Sequence, residues 1–159
     1  MTTFSASKHA VAVVEADQKE IWAALVDPAL MARLTKYVKR ITADGDSWRW
    51  ELSGLEVLGR SIAPAFTERM VFEEPDRIEF HHEPPGRGEP AGVNGWYQLT
   101  PLEDGSTQLE TDMSICVELP LPRMSAKAVE RVMRSVLDSM GDGFSRNLLT
   151  HLGTTERTP

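Results

Sequence analysis

The sequence lacks several features that would place it in a specialised class of protein. Its 159 residues include one cysteine, Cys116, so no internal disulfide is available, which suits a reducing compartment. No apolar run approaches the roughly 20 residues of a membrane span, and the segment from Met1 to His9 has no apolar signal core. We therefore expect a cytoplasmic protein without integral membrane contact.

Positive charge is also scarce. The chain has 17 Lys and Arg against 24 Asp and Glu, which gives a formal net charge of −7. Such a surface repels phosphate backbones, so nucleic acid is not expected as a partner. The one basic cluster, Arg33, Lys36, Lys39 and Arg40, is explained by a solvated helix end and strand start.

Sequence motifs that indicate cofactor binding, metal binding or hydrolase activity are absent as well. The sequence contains no GxGxxG, P-loop, GxSxG or HExxH pattern. His81, His82 and Glu83 are residue types that can bind a metal. Neighbouring residues of a strand point to opposite faces, so these three side chains cannot converge on one ion. We predict no metal site and no cofactor.

What is present predicts one α+β domain over residues 1–152, followed by a disordered tail from Gly153 to Pro159. Phe4 to Glu15 alternates like a strand, and Asp17 and Asp27-Pro28 mark the starts of two short helices. Alternating segments joined by turns such as Asp104-Gly105 then predict an antiparallel meander.

A long amphipathic helix closes the chain, predicted from Ser125 to His151 and roughly 40 Å long at 1.5 Å per residue. A helix about 10–12 Å wide cannot fill a curved sheet of six or seven strands, so a space remains between them. Pockets of this kind are concave and mainly apolar, which is the physical basis for predicting a ligand cavity.

Four stretches resemble the START/polyketide-cyclase superfamily, also called SRPBCC. They are AVAVVEADQKEIWAALVDPALMARL (Ala10 to Leu34), WYQLTPLEDGSTQLETDM (Trp96 to Met113), ELPLP (Glu118 to Pro122) and the last helix. The resemblance implies a helix-grip fold, here with a seven-stranded curved sheet and the C-terminal helix over the cavity. It also implies ligands such as lipids, sterols, quinones or polyketides. The superfamily has no universal catalytic motif, so no catalytic residue is carried over.

Residues that alternate toward the inner sheet face, or lie on the apolar helix stripe, are the candidate ligand contacts. Plain core packing explains the apolar ones equally well. The candidates are Trp48, Trp50, Phe66, Glu68, Met70, Phe80, His82, Tyr97, Met133, Val136, Leu137 and Met140.

Three of these candidates carry polar groups suited to acid–base chemistry. Glu68 shares its face with Phe66 and Met70, so desolvation would raise its pKa; a position at the sheet rim is the alternative. His82 could orient a ligand or move a proton, and Tyr97 offers a hydroxyl. The loop from Pro84 to Gly92 is either a lid or a plain hairpin connection.

These observations leave three functional hypotheses. The first is a carrier, chaperone or sensor that binds a small hydrophobic molecule. The second is a polyketide cyclase or dehydratase that uses Glu68, His82 and Tyr97 as acid–base groups. The third is a protein-interaction module whose partner is a ribosome or a second copy of the chain, as in a homodimer; exposed apolar patches on the outer sheet face would favour it.

Overall fold

One large antiparallel sheet, a small hairpin and three helices make up the residues that the computed structural model describes, 1–86 and 88–159. The strands are β1 Thr2–Val14, β2 Val38–Asp44, β3 Ser47–Leu52, β4 Leu55–Val57, β5 Arg60–Ile62, β6 Ala65–Glu73, β7 Arg77–His82, β8 Ala91–Pro101, β9 Thr107–Leu119 and β10 Glu156–Arg157. The helices are α1 Gln18–Leu25, α2 Pro28–Leu34 and α3 Ala126–Leu152.

Local capping explains where the helices begin and end. The Asp17 carboxylate accepts a hydrogen bond from the Lys19 amide at the start of α1, and Asp27 does the same for Leu30 at the start of α2. Gly153, with φ of 66°, ends α3 in the left-handed conformation that glycine adopts without strain. Ser125 makes no capping hydrogen bond, because a 3-10 turn over Arg123–Ser125 leads directly into α3.

The large sheet has the strand order β10-β1-β9-β8-β7-β6-β3-β2, with every neighbouring pair antiparallel. The predicted architecture of a curved antiparallel sheet with a long C-terminal helix is confirmed. The predicted number of strands is wrong, since the sheet has eight strands rather than seven. Strands β4 and β5 form a separate hairpin beside it.

Part of the tail belongs to the sheet, although the sequence predicts disorder there. Glu156–Arg157 form β10 and pair with Val13 and Val14 of β1. The Arg157 guanidinium also forms ion pairs with Glu15 and, at 2.8 Å from Nη2 to Oδ2, with Asp104. These partners are distant in sequence, so the short polar tail gives no local signal of its pairing.

Helix α3 packs against the inner face of the sheet at both of its ends. Its first half buries Val129, Met133 and Leu137 against Phe4 and Ala6 of β1. Near its other end, buried Leu148 joins α1 and α2 in a second cluster. Between these two clusters, Val136, Met140 and Phe144 of α3 line a cavity, and Asp138 contacts the sheet through an ion pair with Lys8 of β1. No helix in the described residues is long and apolar enough to cross a bilayer.

Candidate functional site

A cavity of about 400 Å³ lies between the inner face of the sheet and α3. One wall comes from β3, β6, β7 and β8, another from β1 and β9, and α3 closes the remaining side. Period-two alternation explains the wall of β3 and β6, because every second residue from Trp48 to Leu52 and from Phe66 to Met70 lines the cavity. The volume falls within the range of pockets that hold a small organic molecule.

Every candidate contact residue predicted from the sequence, except His82, lines this cavity. The strand residues among them are Trp48, Trp50, Phe66, Glu68, Met70, Phe80 and Tyr97, and the helix residues are Met133, Val136, Leu137 and Met140. Aromatic rings pack against one another around the wall, with Trp50 stacked on Phe66 at 6.0 Å between ring centroids.

Glu68 is the most unusual residue of the wall. It is only 3% exposed, and no hydrogen-bond partner for its carboxyl group occurs among residues 1–86 and 88–159. On the same face of β6 it lies between Phe66 and Met70, and in the sheet register it is opposite Trp48. Burial in this apolar setting raises the pKa of the Glu68 carboxyl well above its ordinary value, which favours the neutral acid.

Tyr97 supplies a second polar group to the same cavity. Its ring packs against Phe80 at 5.3 Å between centroids, and its hydroxyl has no hydrogen-bond partner in the described part of the chain. Burial, with the negative charge of Glu68 as a second cause, raises the pKa of the Tyr97 hydroxyl. The hydroxyl therefore stays protonated and can donate a hydrogen bond to a ligand.

Trp50 contributes a third polar group, which the sequence analysis treated only as an aromatic surface. Its indole Nε1 is buried and finds no acceptor within residues 1–86 and 88–159. An indole N–H can only donate, and buried donors usually have partners.

His82 does not join the cavity, so the predicted trio of Glu68, His82 and Tyr97 is not assembled. The His82 Nε2 lies 3.2 Å from the Glu89 Oε1, and its ring packs over Gly92. A Cβ at Gly92 would come within 2.3 Å of the ring, so only glycine leaves room for it there. His82 is the register partner of Glu68, as alternation predicts, but its ring contacts Glu89 and Gly92 and does not line the cavity.

Glu89 is a partly buried carboxylate that the sequence did not single out. It accepts hydrogen bonds from the Thr67 amide at 2.7 Å and from the Thr67 hydroxyl at 2.6 Å. Burial opposes its ionisation, but these bonds and the His82 ring hold the pKa of Glu89 below its ordinary value. Glu89 thereby fastens the loop from Pro84 to Gly92 to the edge of β6. Arg87, within this loop, lies outside the described residues.

The cavity reaches solvent between β1 and α3. Ala10 of β1 and Asp142 of α3 both line the cavity and are exposed. Beside them, the Lys8 Nζ lies 2.9 Å from the Asp138 Oδ1 and passes close to Gly141. Small side chains and one surface ion pair therefore border the opening.

A curved sheet that holds a long C-terminal helix over an apolar cavity defines the class of helix-grip proteins. The model of the family described as polyketide cyclase / dehydrase and lipid transport matches residues 1–144, and the chain belongs to this family. No curated protein matches the sequence.

Solved structures share this fold at low sequence identity. A conserved protein from Geobacillus kaustophilus is 18% identical with a TM-score of 0.69, covering 98% of this chain and 99% of its own. The Zhui aromatase/cyclase from a Streptomyces species is 12% identical with a TM-score of 0.70, covering 94% of each chain. A START superfamily protein from Mycobacterium smegmatis is 16% identical with a TM-score of 0.64, covering 94% of this chain and 97% of its own.

Proposed function

We propose that this protein binds a small hydrophobic molecule, such as a lipid, quinone or polyketide, and acts as its carrier, chaperone or sensor. The observation that carries the proposal is the cavity of about 400 Å³, whose wall is apolar apart from a few polar groups. A packed interior normally has few voids larger than a water molecule, so an internal space of this size needs a reason. A ligand that fills it supplies that reason.

Binding fits the arrangement of polar groups better than catalysis does. A cyclase or dehydratase needs an acid and a base that face one pocket. Glu68 and Tyr97 both favour their protonated forms, and His82, the third member of the proposed acid–base set, contacts Glu89. The interaction-module hypothesis has less support. The exposed large hydrophobic residues of the described chain are Met1, Leu58 and Met124, and none of them belongs to a strand of the main sheet.

Titration with the neutral dye Nile red, followed by its fluorescence, tests the proposal. We expect saturable binding of one dye per chain. Val136→Trp should weaken it by about tenfold or more, equivalent to about 1.4 kcal/mol, because the new ring occupies the cavity. Ser135→Trp is the matched control, since it adds the same ring to an exposed position of α3.

Two results would contradict the proposal. One is a wild-type protein that gives no saturable signal. The other is a folded Val136→Trp variant that binds the dye as tightly as the Ser135→Trp variant does. Native mass spectrometry of the freshly purified protein gives an independent measurement, in which an apolar molecule of defined mass should accompany the wild type and be depleted in Val136→Trp.

A further inference from the structure

Two polar groups on the sheet side of the cavity can each donate a hydrogen bond to a ligand. They are the Glu68 carboxyl in its neutral form and the Tyr97 hydroxyl. Neither group makes a hydrogen bond within residues 1–86 and 88–159. Leaving a buried polar group unpaired is unfavourable, so a ligand that pairs with these groups gains affinity.

The surroundings of Glu68 leave it free for a ligand. Its neighbours on the inner face are Phe66, Met70 and, across the sheet, Trp48, and none of these three makes a hydrogen bond to the Glu68 carboxyl. His82 is its register partner on the other side, but the ring nitrogen of His82 contacts Glu89 instead. Among residues 1–86 and 88–159, the cationic side chain in the cavity lining is Lys8, and it is paired with Asp138 at the opening.

Two ligand chemistries could engage Glu68, and the wall distinguishes them. An ammonium group would require an ionised Glu68 and the burial of two charges, for which the loss of hydration can exceed the attraction. A carbonyl oxygen only accepts, and it matches the donors that this wall presents.

We propose that Glu68 donates a hydrogen bond to a carbonyl oxygen and thereby selects apolar ketones or quinones over hydrocarbons and amines of the same shape. Tyr97 is a second donor on the same wall, available to another oxygen of such a ligand. The inference rests on the proposed function, because it assigns the ligand class for the same cavity.

Three compounds with one carbon skeleton test the inference by competition with Nile red at neutral pH. Acetylnaphthalene carries the carbonyl group, isopropenylnaphthalene replaces its oxygen by a CH₂ group, and naphthylethylamine carries a protonated amine. We expect the ketone to bind the wild type about three- to tenfold more tightly than the hydrocarbon, the equivalent of one net hydrogen bond. The amine should bind more weakly than the ketone.

Two substitutions at Glu68 separate hydrogen bonding from charge. Glu68→Met removes the donor while keeping a side chain of similar length, and it should abolish the preference for the ketone. Glu68→Gln keeps an N–H donor without the ionisable group, and it should retain that preference. Glu73→Met is the matched control, because it removes a carboxylate from the exposed face of the same strand and should leave the ratio unchanged.

The outcomes distinguish the inference from the function on which it rests. If Nile red and all three compounds fail to bind, the proposed function is wrong. If the dye binds but ketone and hydrocarbon compete equally, the carbonyl assignment is overturned and the binding function stands. Tighter binding of the amine, lost in Glu68→Gln, also overturns the assignment and makes Glu68 a site for cations. Circular dichroism of each variant shows that it is folded.

Discussion

The burial of Glu68 predicts an unusual dependence of stability on pH. A carboxyl group that is 3% exposed and unpaired within residues 1–86 and 88–159 is hard to ionise in the folded protein. The unfolded chain ionises it freely. Replacing Glu68 by Gln removes the ionisation and keeps the shape, so the difference in stability between the two proteins isolates this one group.

The sign follows from the direction of the pKa shift. Because burial raises the pKa of Glu68 in the folded state, its contribution is fully present below the unfolded pKa and is lost as the pH rises through the folded pKa. The wild type and Glu68→Gln should therefore be similar near pH 4, and the variant should become more stable as the pH rises toward about 8. We expect a gain on the order of 1–3 kcal/mol, because above the unfolded pKa the folded wild type must either bury a charge or keep a proton that the unfolded chain releases.

Thermal unfolding at a series of pH values measures the effect. For a chain of this size each kcal/mol corresponds to about 2–4 °C in Tm. Glu73→Gln controls for the general loss of a carboxylate, since Glu73 is exposed on the outer face of the same strand. If the difference in Tm between wild type and Glu68→Gln stays constant with pH, or falls as the pH rises, Glu68 is not a buried acid that resists ionisation.

Two further predictions concern the frame of the cavity. Glu89→Gln should lower stability at neutral pH by about 1–2 kcal/mol, because the charged carboxylate accepts two hydrogen bonds from Thr67. The lowered pKa of Glu89 makes its contribution present above the unfolded pKa and lost in acid, so the gap in Tm should close as the pH falls; a gap that widens would contradict this. Gly95→Ala should cost about 1–3 kcal/mol in chemical denaturation, because a Cβ there would lie 2.2 Å from the Asp112 carbonyl oxygen. Gly86→Ala, with open space around it, is the control, and equal midpoints for the two variants would contradict the packing argument.

The inner wall could be predicted because strand alternation is a local property of the sequence. Trp48 and Trp50 alternate with charged or polar neighbours, and Phe66, Glu68 and Met70 do the same, so their shared face follows from period two alone. The stripe of α3 follows from period 3.6 in the same way. The wall supplied by β1 and β9 was not assigned, because small residues such as Ala10 and Ala12 do not indicate a buried face.

The features that were missed depend on contacts between distant segments. The position of His82 is set by Glu89, and β10 is set by its pairing with β1 and the ion pairs of Arg157. Alternation gives the face from which a side chain leaves a strand, but at a strand end it does not fix where the side chain goes. A loop carboxylate such as Glu89 looks like any solvated acid in the sequence.

The two carboxyl groups of β6 and its adjoining loop show why one of them is a candidate for ligand recognition and the other is not. Both lose hydration, yet the pKa of Glu89 is lowered and that of Glu68 is raised. The difference lies in the donors around them: Thr67 satisfies Glu89, whereas apolar rings surround Glu68. The Glu89 carboxylate already has protein hydrogen-bond donors, so its role is structural and it needs no ligand. A neutral acid facing an open cavity lacks its partner, and the cavity is where a ligand oxygen would supply it.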